Sequence, residues 1–118
     1  MDNAALVSVV HGLRQGLNQL RSLPGRKRGA VQVVGQAGVP SGATAVVLNV
    51  TVTEPTFTGY VTVWPTGASR PLASTLNYTF GQTVPNLVMV KLGAGGQVSF
   101  FNSAGAADLL ADVVGYVR

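Results

Sequence analysis

The side chains that could do chemistry are few and far apart. Asp108 and Asp112 stand four residues apart in ADLLADVVGYV, and Glu54 lies in the turn-rich segment TEPTFTG. Paired carboxylates hydrolyse glycosides when they flank the scissile bond at roughly 5 to 9.5 Å. Two aspartates four apart on one strand are separated by about 13 Å, beyond that range. His11 is the single histidine, and a Ser-His-Asp triad would need it carried to a serine and an acid elsewhere in the chain. Cysteine is absent, which excludes thiolate metal sites, cysteine nucleophiles and disulfides. The run GAGG at 93–96 precedes a strand pattern, so it reads as a hairpin turn and not as a phosphate cradle opening a helix. No set of ligands has the spacing of a metal cluster. The expectation is a protein that is not an enzyme and uses no cofactor or metal. What remains is surface chemistry. The aromatic residues Phe57, Tyr60, Trp64 and Tyr78 could form a platform on which sugar rings stack, although a lone tryptophan in a β domain is usually buried.

Two kinds of element would position these groups. From Ala30 onward the apolar residues recur with period two, in AVQVV (30–34), the long run within 42–55, GYVTVWP (59–65), ASTLNY (73–78), VPNLVMVKL (84–92), QVSFFN (97–102) and ADLLADVVGYV (107–117). Glycine- and proline-rich turns separate them. Seven short strands at this spacing predict an all-β fold, an antiparallel β-sandwich of about seven strands over 29–118. Val46, Leu48, Val50 and Val52 mark one face of the longest strand. Leu87, Met89, Phe101, Leu110, Val114 and Tyr116 fall on the opposite faces, where a sandwich should be polar.

Residues 1–28 read differently. Leu6, Val10, Leu13, Leu17 and Leu20 are spaced 4, 3, 4 and 3, a short heptad seam. This predicts one N-terminal amphipathic helix, stopped by Pro24-Gly25 and followed by a basic linker. Gly12 and Gly16 weaken such a helix, so it needs something to pack on. The five leading seam residues would make the contact with copies of the chain or with a larger assembly. Arg26, Lys27 and Arg28 would touch an acidic partner.

Charge supports that division. Residues 1–28 hold five basic side chains against Asp2, whereas residues 29–118 hold three of each sign. Charged residues make up only 10% of the 118, against roughly 25% in ordinary soluble domains. So few charges cannot cover a monomer well, which favours apolar surface shared with another chain. Three clustered basic residues without interleaved aromatics do not argue for specific nucleic-acid binding. The N-terminal apolar run is too short, and too soon interrupted, for a secretory signal, and no stretch approaches a membrane span.

The segments GATAVVLNVTVTEPT, GYVTVWPTG, RPLASTLNY, GQTVPNLVMVKLGAGGQVSFFNSAG and LLADVVGYV together resemble a module common in actinobacterial extracellular proteins. There it stands beside hydrolase or peptidase domains, or in tandem. The resemblance covers about residues 31–117. It implies a non-catalytic β domain that is surface-associated or ligand-binding, and it carries over no functional residues. Here the module is preceded by the heptad segment and has no enzyme beside it. In that form it looks like an actinobacteriophage structural protein, because phages reuse host surface modules as head decorations or tail appendages. The expectation is a virion protein on a capsid or tail, assembled in the host cytoplasm and oligomeric, a trimer through the helix. The alternative is a carbohydrate- or cell-wall-binding module at the cell surface, acting through the aromatic platform.

Overall fold

The strand AVVLNVTVT shows how this chain folds. Val46, Leu48, Val50 and Val52 are fully buried, while Asn49, Thr51 and Thr53 on the other face are half-buried. Each core side chain of this kind contributes about 1.5–3 kcal/mol by leaving water. β-branched residues fit the pleated surface well, so pattern and propensity agree.

The computed structural model describes residues 6–12 and 27–118. Among them are eight strands: β1 (Leu6–Gly12), β2 (Lys27–Gln32), β3 (Ala45–Thr53), β4 (Gly59–Pro65), β5 (Leu76–Tyr78), β6 (Val84–Lys91), β7 (Gln97–Asn102) and β8 (Asp108–Val117). They form two antiparallel four-stranded sheets. Sheet I has the order β1-β8-β3-β6, and sheet II the order β2-β7-β4-β5. Their inner faces share one core, with Val46, Leu48 and Leu109 from sheet I meeting Val61, Val98 and Phe100 from sheet II. All seven strands expected after residue 29 are present. The connection GAGG is a correction, however. It carries the chain from β6 in sheet I to β7 in sheet II, as a single 3-10 turn at Ala94–Gly96, and so is not a hairpin between paired strands.

The predicted helix is also corrected where its residues are described. Leu6–Gly12 is a strand, pairing antiparallel with β8 from Leu6↔Val117 to Gly12↔Asp112. The heptad spacing of Leu6 and Val10 is therefore not used as a helix seam. Three of these seven residues are valine, which loses rotamer freedom in a helix, and the edge of β8 supplies hydrogen bonds that a short glycine-flanked helix would have to make alone. Leu13, Leu17, Leu20 and Arg26 lie outside the described residues.

A bulge explains one apparent misfit on β8. Opposite β3 the register runs Val47↔Gly115 and then Leu48↔Val113, so Val114 is the extra residue. The bulge flips the side-chain alternation. Leu109, Ala111 and Val113 face the core before it, and Tyr116, 8% exposed, faces the core after it. Tyr116 thus leaves the set of outward apolar residues, and Val114 stays in it.

Backbone strain sits at the end of β3. Glu54 has φ 53°, in the left-handed region that costs a non-glycine residue about 1 kcal/mol or more. Its side chain is exposed. Glu54→Gly is expected to raise the unfolding free energy by about 0.5–1 kcal/mol in urea titration. A loss of stability would show that the carboxylate, and not the backbone, dominates there.

Candidate functional site

Each face of the sandwich carries a different chemistry. On sheet II the outward residues of β4 and β7 include Tyr60, Thr62, Trp64, Ser99 and Phe101. They are covered by residues 66–75, the connection from β4 to β5. Thr62 Oγ1 donates to the Ala73 carbonyl at 3.1 Å, the Val63 amide donates to Thr75 Oγ1 at 3.0 Å, and the Trp64 indole donates to the Ala68 carbonyl at 3.0 Å. Trp64 and Phe101 are each 3% exposed. The guanidinium carbon of Arg70 lies 3.7 Å from the centre of the Phe101 ring, and that of Arg28 lies 5.5 Å from Trp64. Such cation–π contacts contribute about 0.5–1 kcal/mol each at exposed sites. Tyr60 completes the cluster, its ring 6.2 Å from Phe101.

This arrangement dissolves the sugar platform expected from Phe57, Tyr60, Trp64 and Tyr78. Tyr78 points the other way, into the core between the sheets, where it is 2% exposed. Trp64 is roofed by the Ala68 turn. Neither presents a ring face to solvent, because their strand parity and the covering loop place both inside. Phe57 alone of the four is well exposed, at 63%. The sequence reading missed Phe80, 73% exposed. Phe57 and Phe80 stand on loops tied together by the Gly81 amide, which donates to the Pro55 carbonyl at 2.9 Å. Position in a turn was the only available signal for Phe80.

The basic contact residues are split. Lys27 and Arg28 begin β2 opposite Asn102 and Phe101, and Arg28 reaches back over Trp64. Asp108 and Asp112 alternate with Leu110 along β8, and Glu54 lies in the connection after β3. Among the described residues, no group of three or more His, Cys, Asp or Glu could hold a metal ion, and no helix is long and apolar enough to cross a membrane.

Sheet I presents the most distinctive surface. Its outer face carries exposed apolar side chains on the edge strand β6. Met89 lies opposite Val47, Leu87 opposite Asn49, and Pro85 opposite Thr51, with Leu110 and Asp112 on the far side of β3. Leu87 and Met89 are 62% and 65% exposed, and the bulge residue Val114 joins them at 36%. Among the described residues, no loop roofs this face as residues 66–75 roof sheet II. Exposed apolar side chains grouped on one sheet face mark a contact surface more often than scattered ones do. Set beside known proteins, the chain matches no family model and no curated protein.

Proposed function

We propose that the chain is a non-enzymatic structural module that decorates a virion, on the capsid or tail, and docks there through the outer face of sheet I. The observation that carries this reading is the group Leu87, Met89 and Val114, left exposed on a sheet whose other face fills the core. Covering these side chains with an apolar partner removes them from water at about 25 cal/mol per Å². Arg28, over Trp64 on the outer face of sheet II, lies on the opposite side of the sandwich and takes no part in this contact. The resemblance to surface modules of actinobacteria supports a host-derived module in an actinobacteriophage particle.

The test is to add the purified chain to particles lacking it and to sediment them. Binding at a fixed copy number per particle, lost in Leu87→Lys, is the expected result. Particles that sediment without the chain would overturn the reading. A second reading is favoured by one observation, the exposed pair Phe57 and Phe80 on joined loops. There the chain binds cell-wall glycan by stacking, and retention on host cell walls would be lost in Phe57→Ala or Phe80→Ala while Leu87→Lys leaves it intact.

A further inference from the structure

We infer that β6 is the dimerisation edge of this protein, pairing antiparallel with β6 of a second copy to make one continuous eight-stranded sheet. Sheet I ends at β1 and β6, and sheet II ends at β2 and β5. β5 has three residues and β2 begins with Lys27 and Arg28, both common ways of blunting an edge. β6 has eight residues, longer than any other edge strand among the described residues, and its outward side chains include exposed Leu87 and Met89.

The hydrogen-bond phase of β6 leaves the right groups free for pairing. The Leu92 amide donates to the Thr44 carbonyl at 3.0 Å, and the register continues through Val46↔Val90, Leu48↔Val88 and Val50↔Asn86. In an antiparallel ladder these alternate residues turn both N–H and C=O toward the partner strand. The intervening residues, Pro85, Leu87, Met89 and Lys91, therefore turn theirs to the open edge. Pro85 falls on the open side, where its missing N–H costs the β3 ladder nothing; in the pair its carbonyl still accepts from the Met89 amide of the other copy, while the Met89 carbonyl opposite it goes unmatched.

Charge selects a second copy and an antiparallel direction. One end of sheet I holds Lys91, opposite Ala45, and Arg118, next to Val117 at the same level. The other end holds Asp108, opposite Thr53, and Glu54 beside it. Antiparallel pairing sets the basic end of each copy against the acidic end of the other, twice over. Parallel pairing would set like charges together. With Leu87 opposite Leu87 of the copy, Met89 faces Pro85 and Lys91 faces Thr83. The Thr83 hydroxyl meets that of Thr53 at 3.3 Å, the residue before Glu54, so Lys91 ends beside the acidic corner. The pair would also place both sets of Leu87 and Met89 at the centre of the surface assigned above to docking. The dimer deepens that reading of sheet I and borrows its exposed apolar face, but it is tested by mass and cross-linking of the chain alone, with no particle or partner present.

The experiment is light scattering on the full chain, with a site-directed cross-link. A dimer of twice 12.1 kDa is expected. Leu87→Lys, which brings like charges together on the two-fold axis, should weaken dimerisation at least tenfold, and Met89→Pro, which deletes an outward N–H, should do the same. Leu87 is exposed, so its variant should keep the parent circular dichroism and remains informative if the proline variant fails to fold. Because the chain has no cysteine, Leu87→Cys introduces a single thiol. It should form a covalent dimer under mild oxidation, since paired strands bring Cα atoms to about 5.5 Å. Leu72→Cys, 95% exposed on the loop over sheet II, should not. A monomer at all concentrations, a trimer, or a dimer indifferent to Leu87→Lys with no cross-link at position 87 would each overturn the assignment. Failure to bind particles with the dimer intact would instead count against the docking reading.

Discussion

Gly93→Ala is expected to destabilise the sandwich by about 3 kcal/mol, the upper end of the usual cost of overpacking. Gly93 precedes the 3-10 turn that carries the chain from sheet I to sheet II. A β-carbon there would fall 2.7 Å from the Pro65 carbonyl carbon, and closer still to the Thr66 nitrogen and oxygen. All three are backbone atoms, so no side chain can swing aside. The same atoms are held by hydrogen bonds. Ala94 donates to the Thr66 carbonyl at 2.8 Å, and Thr66 and Gly93 both donate to the Gln97 carbonyl, at 3.2 and 3.0 Å. A methyl group would pry the end of β4 from the start of β7 and loosen this junction. The comparison is Gly42→Ala, where nothing lies within 4 Å of an added β-carbon. That variant should stay within about 0.5 kcal/mol of the parent, as surface changes usually do. Urea midpoints measure both. Equal midpoints would mean that Pro65 and Thr66 do not lie against Gly93.

Gly93 shows where sequence reasoning reaches its limit. The run GAGG is plainly a turn, and the pattern around it marks both neighbouring strands. Yet the need for glycine at 93 comes from Pro65 and Thr66, which are remote in sequence. The same boundary runs through the rest of the molecule. Period-two alternation placed the strands after residue 29, because one buried face imposes that pattern locally. Leu6–Gly12 satisfied two periods at once. Leu6 and Val10, four apart, fit a helix seam and the valines fit a strand, and only the edge of β8 decides between them. Tyr116 was misplaced because a bulge adds one residue, and its one local signal, Gly115 next to the bulge residue Val114, was not read as one. Trp64 was misread as a platform residue because burial of an outer face depends on residues 66–75, a covering loop with no periodicity to read, and Tyr78 because a strand of three residues is too short for its parity to show which face is inward. The apolar face of Leu87 and Met89 was legible, since both stand opposite Val88 and Val90 on one alternating strand.

The second large effect is at Tyr78, where Tyr78→Phe should cost about 2 kcal/mol and flatten the alkaline response of the protein. The hydroxyl of Tyr78 reaches the Asn102 side-chain oxygen and, at 3.0 Å, the Ala104 carbonyl. Asn102 is fully buried and holds the turn after β7, its amide donating to the carbonyls of Ala104 at 3.1 Å and Gly105 at 3.2 Å. Phenylalanine keeps the ring and removes a donor from that buried network, a loss of about 1–3 kcal/mol. Burial also pushes the Tyr78 phenol above its ordinary value of 10.0, and its hydrogen bonding with Ala104, Ser103 and Asn102 offsets this only in part. The folded chain thus holds this proton to higher pH than the unfolded chain does. Above pH 10 the unfolded state binds fewer protons, so stability falls as pH rises. The contribution of Tyr78 is complete below the unfolded value and drains away as pH climbs through the folded one. Urea unfolding at pH 8 and again above pH 10 measures both parts. The parent should lose more stability across that interval than Tyr78→Phe. An identical loss in the two proteins would mean that the alkaline sensitivity belongs to other groups, and that the Tyr78 hydroxyl is better solvated than its place between the sheets implies.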